Sequence, residues 1–169
     1  MSIKKYLQSL SREELVEQVM ELHKKYDDVK TYYKYMINPA DKTVAEKYKR
    51  VIRNEFFPSR GGYGDPKLRV ARKAVNDFKK LSPLSESLVD VMLHYVESGV
   101  EFTNAYGDIN EPFYNSVASM FYDVCKHIRE NNLTPVFEKR CWKIVADTDG
   151  IGWGFHDELA DYYSEFIGE

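Results

Sequence analysis

Apolar residues recur every three or four positions along almost the whole chain, and no convincing period-two stretch interrupts them. That pattern predicts helices throughout. Ser11 and Glu14 form the sequence signature of a capping box, opening a helix whose face carries Leu15, Val19 and Leu22. Asp27 or Asp28 caps a second helix, or the first runs on with a kink, and Val29, Tyr32, Tyr33 and Met36 carry the stripe to Asn38-Pro39. A third run starts at Asp41 and ends at Pro58, with Val44, Tyr48, Val51, Ile52 and Phe56 in step. Further helices are predicted from about Pro66 to Lys80, from Ser82 or Ser85 to near Gly99, and over 111–131, where Phe113, Val117, Met120, Phe121, Val124 and Ile128 make one stripe. Pro135 opens another, as a first-turn proline does, and the last spans about 155–167. The expectation is an all-α protein, one domain over residues 1–169, with seven or eight antiparallel helices in a bundle or a short stack of helical hairpins. The repeat of "GYGD" at 62–65 as "AYGD" at 105–108 aligns little else and reads as two turn signals.

Against this regular background one stretch stands out, "EFTNAYGDINEPFYNS" at 101–116. Gly107 suits the end of a helix, and Asn110 suits the cap of the next one, with Glu111 and Pro112 in its first turn. Ile109 and Tyr114 then occupy the staple positions. The turn does not require Glu101, Thr103 or Asn104; with Asp108 and Glu111 they gather oxygen atoms at one corner. Their spacing matches no calcium loop. The aromatic content instead suits a docking corner at Phe102, Asn104, Tyr106, Asp108 and Tyr114.

A second unusual stretch is "DGIGWGFHDEL" at 149–159. Its glycines allow close backbone approach, and Trp153 can wall a pocket or meet a partner. His156 and Asp157 fall in the first turn of the last helix, where a neutral imidazole suits a base or a ligand. A composite catalytic site would join His156 and Asp157 to Glu101, Asp108 and Glu111, provided the two stretches meet in space. The bland alternative is a glycine corner with a packed tryptophan. No strand precedes these glycines, and "SRGGYGDPK" fails the phosphate-loop pattern, although Arg60, Lys67 and Arg69 could hold an anion at a helix start.

Charge changes the picture in one place. The net charge of −3 conceals twelve basic against five acidic residues over 41–80, and five against sixteen over 81–169. Lys47, Lys49, Arg50, Arg53, Arg72 and Lys73 could contact phosphates of a nucleic acid. They could equally pair with the acidic half, within one chain or across a homo-oligomer. The remaining histidines, His23, His94 and His127, fall on separate helices, and no metal-ligand or nucleophile motif occurs, so no metal or cofactor is expected. Composition, with 43% hydrophobic and 30% charged residues, is that of a globular domain. No apolar run reaches the roughly 18 residues of a membrane span. The N-terminus carries no apolar signal core, so a cytoplasmic setting is expected. Cys125 and Cys141 keep step with apolar neighbours and read as small core residues.

The segments Glu55–Pro58, Val75–Pro83, Met92–Ser116 and Ile151–Leu159 resemble a family of small, all-helical bacterial proteins known only as a domain of unknown function. The resemblance spans most of the chain. It implies a helical, bacterial, cytoplasmic protein and carries over no activity, cofactor or site residue. Three functions stay in play: a non-enzymatic module binding an unknown protein partner, a metal-binding protein or hydrolase-like enzyme with an acidic and histidine site, and a nucleic-acid binder acting through residues 42–80.

Overall fold

A computed structural model describes residues 1–39, 42–59, 66–81 and 83–168. Among these residues nine helices occur and no strand. The expected cap at Asp41, the anion contact at Arg60, the "GYGD" turn at 62–65 and the cap at Ser82 lie outside the described residues. The chain divides into two compact units, Met1–Val44 and Ala45–Glu169.

The first unit holds α1 (Ile3–Gln8), α2 (Arg12–Lys25) and α3 (Asp27–Ile37). The pattern did not announce α1, whose six residues are too few to display a period. The capping box is in place: Ser11 N donates to Glu14 at 2.7 Å, and Glu14 N donates to the Ser11 hydroxyl at 3.2 Å. The break between α2 and α3 is a single extended residue, Tyr26. Neither aspartate is the cap; Asp27 and Asp28 occupy the first turn, facing the positive end of the helix dipole.

The second unit is built from α4 (Thr43–Phe56, beginning just before the boundary), α5 (Leu68–Lys79), α6 (Ser85–Tyr106), α7 (Glu111–Glu130), α8 (Thr134–Ala146) and α9 (Phe155–Phe166). The centre is α6. Val89, Val91, Leu93, Tyr95 and Val96 are all fully buried and cover most sides of the helix, leaving only the face of Asp90, Glu97 and Glu101 toward water. It packs against α5, α7 and α8, while α7 packs against α9. Contacts that skip a helix in the sequence distinguish a bundle from a hairpin stack, in which each unit meets only its neighbours. From α4, Phe56 meets Tyr95 at 5.5 Å and Phe102 at 6.2 Å.

The helix expected to end near Gly99 runs on to Tyr106. Gly99 is not a stop but sits directly against Val117 of α7, with no room for a side chain. The stop is Gly107, whose φ of 88° is open to glycine and costly to other residues. Asn110 caps α7 as expected, its side chain accepting from Phe113 N at 3.0 Å. Cys125 and Cys141 are fully buried and unbridged. Cys125 shares a hydrogen bond with Cys141, which together with burial pushes its thiol pKa far up. Both behave as packing residues.

Candidate functional site

The two unusual stretches meet. Trp153 Nε1 donates to Asp108 Oδ1 at 2.7 Å, and the Trp153 ring stacks on Tyr114 with centroids 6.4 Å apart. The Tyr114 hydroxyl donates to the same Asp108 oxygen at 3.0 Å, lies 2.8 Å from the Thr103 hydroxyl, and accepts from Ile109 N at 3.3 Å. Burial raises the Tyr114 pKa, and its bond to Asp108 adds to the rise, so the phenol keeps its proton and acts as a donor. Asp108 therefore ties the α6–α7 corner to the α8–α9 loop.

That loop carries an unusual backbone. Trp153 has a φ of 63°, next to Gly154 at 67°. A bulky residue in the left-handed region costs about 1–2 kcal/mol. Yet the residue is 58% exposed, so the strained backbone holds an aromatic side chain at the surface rather than in the core.

The corner does not behave as one catalytic cluster. Glu101 turns away to α4, where Arg53 grips it with both guanidinium nitrogens, one of them at 2.6 Å from Oε1. That bond holds the Glu101 carboxyl below its usual pKa. His156 turns to the buried Thr148. The Thr148 hydroxyl donates to Val145 O at 2.6 Å, so its 2.9 Å contact with His156 Nδ1 needs the proton on that nitrogen. Glu111 and Asp157 are exposed in the first turns of α7 and α9. Among the described residues, no three His, Cys, Asp or Glu side chains converge to hold a metal ion.

The expected docking residues also divide. Phe102 and Tyr114 are each 2% exposed and belong to the core: α6 continues to Tyr106 and carries Phe102 inward, and Tyr114 on α7 packs against it through the Thr103 hydroxyl. Tyr106 (43% exposed), Trp153 and Asn104 face water. A run of ring contacts connects these surface residues through the core. It passes from Trp153 through Tyr114, Phe113 and Phe102 to Tyr106, which lies 6.1 Å from Phe57. Phe57 in turn carries the Arg53 guanidinium 3.9 Å above its ring.

Arg53 leads into a feature that sequence reasoning missed. An open groove of about 1020 Å³ runs between α4, α6 and α8. One wall is a clamp: Arg140 on α8 donates to Asp90 at 2.6 Å and to both oxygens of Glu97 at 2.6 and 2.8 Å. Lys49 reaches the other oxygen of Asp90 and also bonds Glu46 at 3.1 Å. Burial opposes the charge on Asp90, but its bonds to Lys49 and Arg140 outweigh that and lower its pKa. His94 lines the same groove, and its buried Nε2 has no partner among the described residues. Burial pushes the His94 pKa down; Glu97 resists, and Lys49, Arg140 and Arg53 assist. Arg140 lies 43 and 50 positions from the carboxylates it clamps, so no local motif announced the pairing.

The basic set is mostly occupied by intramolecular partners. Lys49 and Arg53 pair across to α6, Lys73 pairs with Asp77, and Arg72 donates to the Ser119 hydroxyl at 2.9 Å. Lys47 and Arg50 are exposed and without an ion pair among the described residues. The pairing of basic helix with acidic half, one of the two outcomes open from the sequence, thus occurs within the chain.

Residues 1–167 match the family of unknown function DUF6155. The chain belongs to that family. No match was found among curated proteins, and none among solved structures. Membership in DUF6155 carries no assigned activity. No helix among the described residues is long and apolar enough to cross a membrane.

Proposed function

We propose that this chain is a non-enzymatic interaction module that receives a segment of a partner protein at the Trp153 corner and along the α4–α6–α8 groove. The observation that carries the reading is Trp153 itself, exposed yet held by Asp108 and Tyr114 on a left-handed backbone. Tryptophan, tyrosine and arginine dominate the binding energy of interfaces. A ring already fixed in place loses little further freedom when a partner covers it. Tyr106 and Phe57 extend the aromatic surface toward the groove. The groove's own character also supports a protein segment: it is open along its length and edged by ion pairs, whereas small-molecule sites are concave and enclose most of their ligand.

The immobilised chain should retain a protein that Trp153→Ala fails to retain, with the variant's circular dichroism unchanged. Retention unaffected by Trp153→Ala and by Tyr106→Ala would overturn the reading. The two rivals have signatures of their own. A thermal shift with a divalent metal or nucleotide, abolished by His156→Ala, would favour the acidic and histidine site. Oligonucleotide binding that weakens steeply with salt would favour the basic segment.

A further inference from the structure

We infer that the N-terminal unit, Met1–Val44, is a self-association element: its α2–α3 pair completes a four-helix bundle with the same pair from a second copy of the chain. This goes beyond the docking role given to the second unit, and rests on different residues.

The argument begins with the width of the apolar stripes. At about 100° per residue, Leu22, Leu15, Val19, His23, Val16 and Met20 span about 160° of α2. On α3, Tyr35, Tyr32, Met36, Val29, Tyr33 and Ile37 span about 200°, and Tyr35, at one end of that arc, is the only one fully buried. One neighbouring helix covers only part of such an arc. Accordingly Leu15, Val19 and His23 are half-buried, as are Val29 and Tyr33, and the His23 and Tyr33 rings lie 6.4 Å apart. The flank on the Met20 and Ile37 side stays open: Val16 is 55% exposed, Met20 49% and Ile37 82%. No residue of α2 is fully buried. A helix in a four-helix bundle has two neighbours, which is what stripes of this width fit.

Size points the same way. Near 40 residues, a folded unit usually needs disulfides, a metal or oligomerisation. Both cysteines of the chain lie in the second unit, and no metal-ligand cluster exists among the described residues.

Charge selects a second copy as the occupant. Past Met20, the surface of α2 continues with Glu13 and Glu17, both exposed and without a partner among the described residues. Past Ile37, the surface of α3 continues with Lys30, which bonds Asp27 at 2.8 Å, and with Lys34, both exposed. A two-fold axis along the helices sets α2 of one copy beside α3 of the other, acidic edge on basic edge. The unit is thus complementary to itself, as an interface built from one patch on both subunits must be.

Sedimentation and light scattering of the full chain should reveal a dimer whose population rises with concentration. Val16→Glu and Met20→Glu should each give monomer with helical content retained. Should either glutamate variant lose helix, the milder Val16→Thr and Met20→Gln must still weaken the dimer. Glu17→Lys alone and Lys34→Glu alone should each weaken dimerisation several-fold, and mixing the two variants should restore it. A parent chain that stays monomeric up to about 1 mM would overturn the inference. So would a dimer indifferent to the Val16 and Met20 substitutions, or a mixture that fails to recover.

Discussion

A Cβ added to Gly99 would lie 2.6 Å from Cγ2 of Val117. Nothing real sits that close, so α6 or Val117 must give way. Gly99→Ala should therefore destabilise the chain by about 1–3 kcal/mol, the usual penalty for overpacking, although alanine is the better helix former. A denaturant melt compared with the parent measures it, and Val117→Ala in the same chain should recover part of the loss. The same residue explains one misreading of the sequence. A glycine late in an apolar run looks like a helix end, and only the opposing helix reveals it as a notch. Extending α6 by seven residues then carries Phe102 and Thr103 into the core, and Tyr114 follows them to reach the Thr103 hydroxyl. Their aromatic or polar character was plain in the sequence; the direction each faces depended on where a helix stopped.

The helices were legible where a stripe and a cap coincide. Ser11 with Glu14 and Asn110 with Pro112 fixed the starts of α2 and α7, because a cap is a local hydrogen bond that three or four residues specify. What joins one helix to another was not legible. The Arg140 clamp ties α8 to α6 through two carboxylates two turns apart on the same helix face, and nothing near residue 140 names Asp90 or Glu97. Removing the arginine leaves both carboxylates half-buried beside each other. Arg140→Leu should thus cost about 2 kcal/mol and lower the melting temperature by roughly 4–8 °C. In a chain already carrying Asp90→Asn and Glu97→Gln the same change should cost much less, since the repulsion it exposes is gone. The double-mutant comparison by thermal melting checks this.

Across the whole molecule, the basic stretch and the acidic half meet mainly at α4 and α6, which turns a net charge of −3 into an internal cross-brace. Its pH behaviour has a definite sign. Burial holds His94 and His127 below their ordinary value of 6.5. For His94 the nearby Lys49, Arg140 and Arg53 assist and Glu97 opposes; for His127 Lys79 assists and Glu130 opposes. The unfolded chain takes up protons as pH falls through about 6.5, while the folded chain does not. Stability contributed by these groups is complete above that value and is lost below it. Asp90 and Glu101, also held below their usual range, act in the same direction at more acidic pH. The melting temperature should fall between about pH 7.5 and 5.5, and His94→Gln should flatten that slope.

The placement of the tryptophans has an optical consequence. Trp142 is 57% exposed and Trp153 58%, and the chain has no other. Intrinsic emission of the native protein should already be red-shifted, like that of an indole in water, so unfolding will move it little. A partner that covers Trp153 would instead shift emission to the blue and protect the indole from a dissolved quencher. In this chain the intrinsic fluorophore watches the surface, and a dye-free titration can follow docking without disturbing the core.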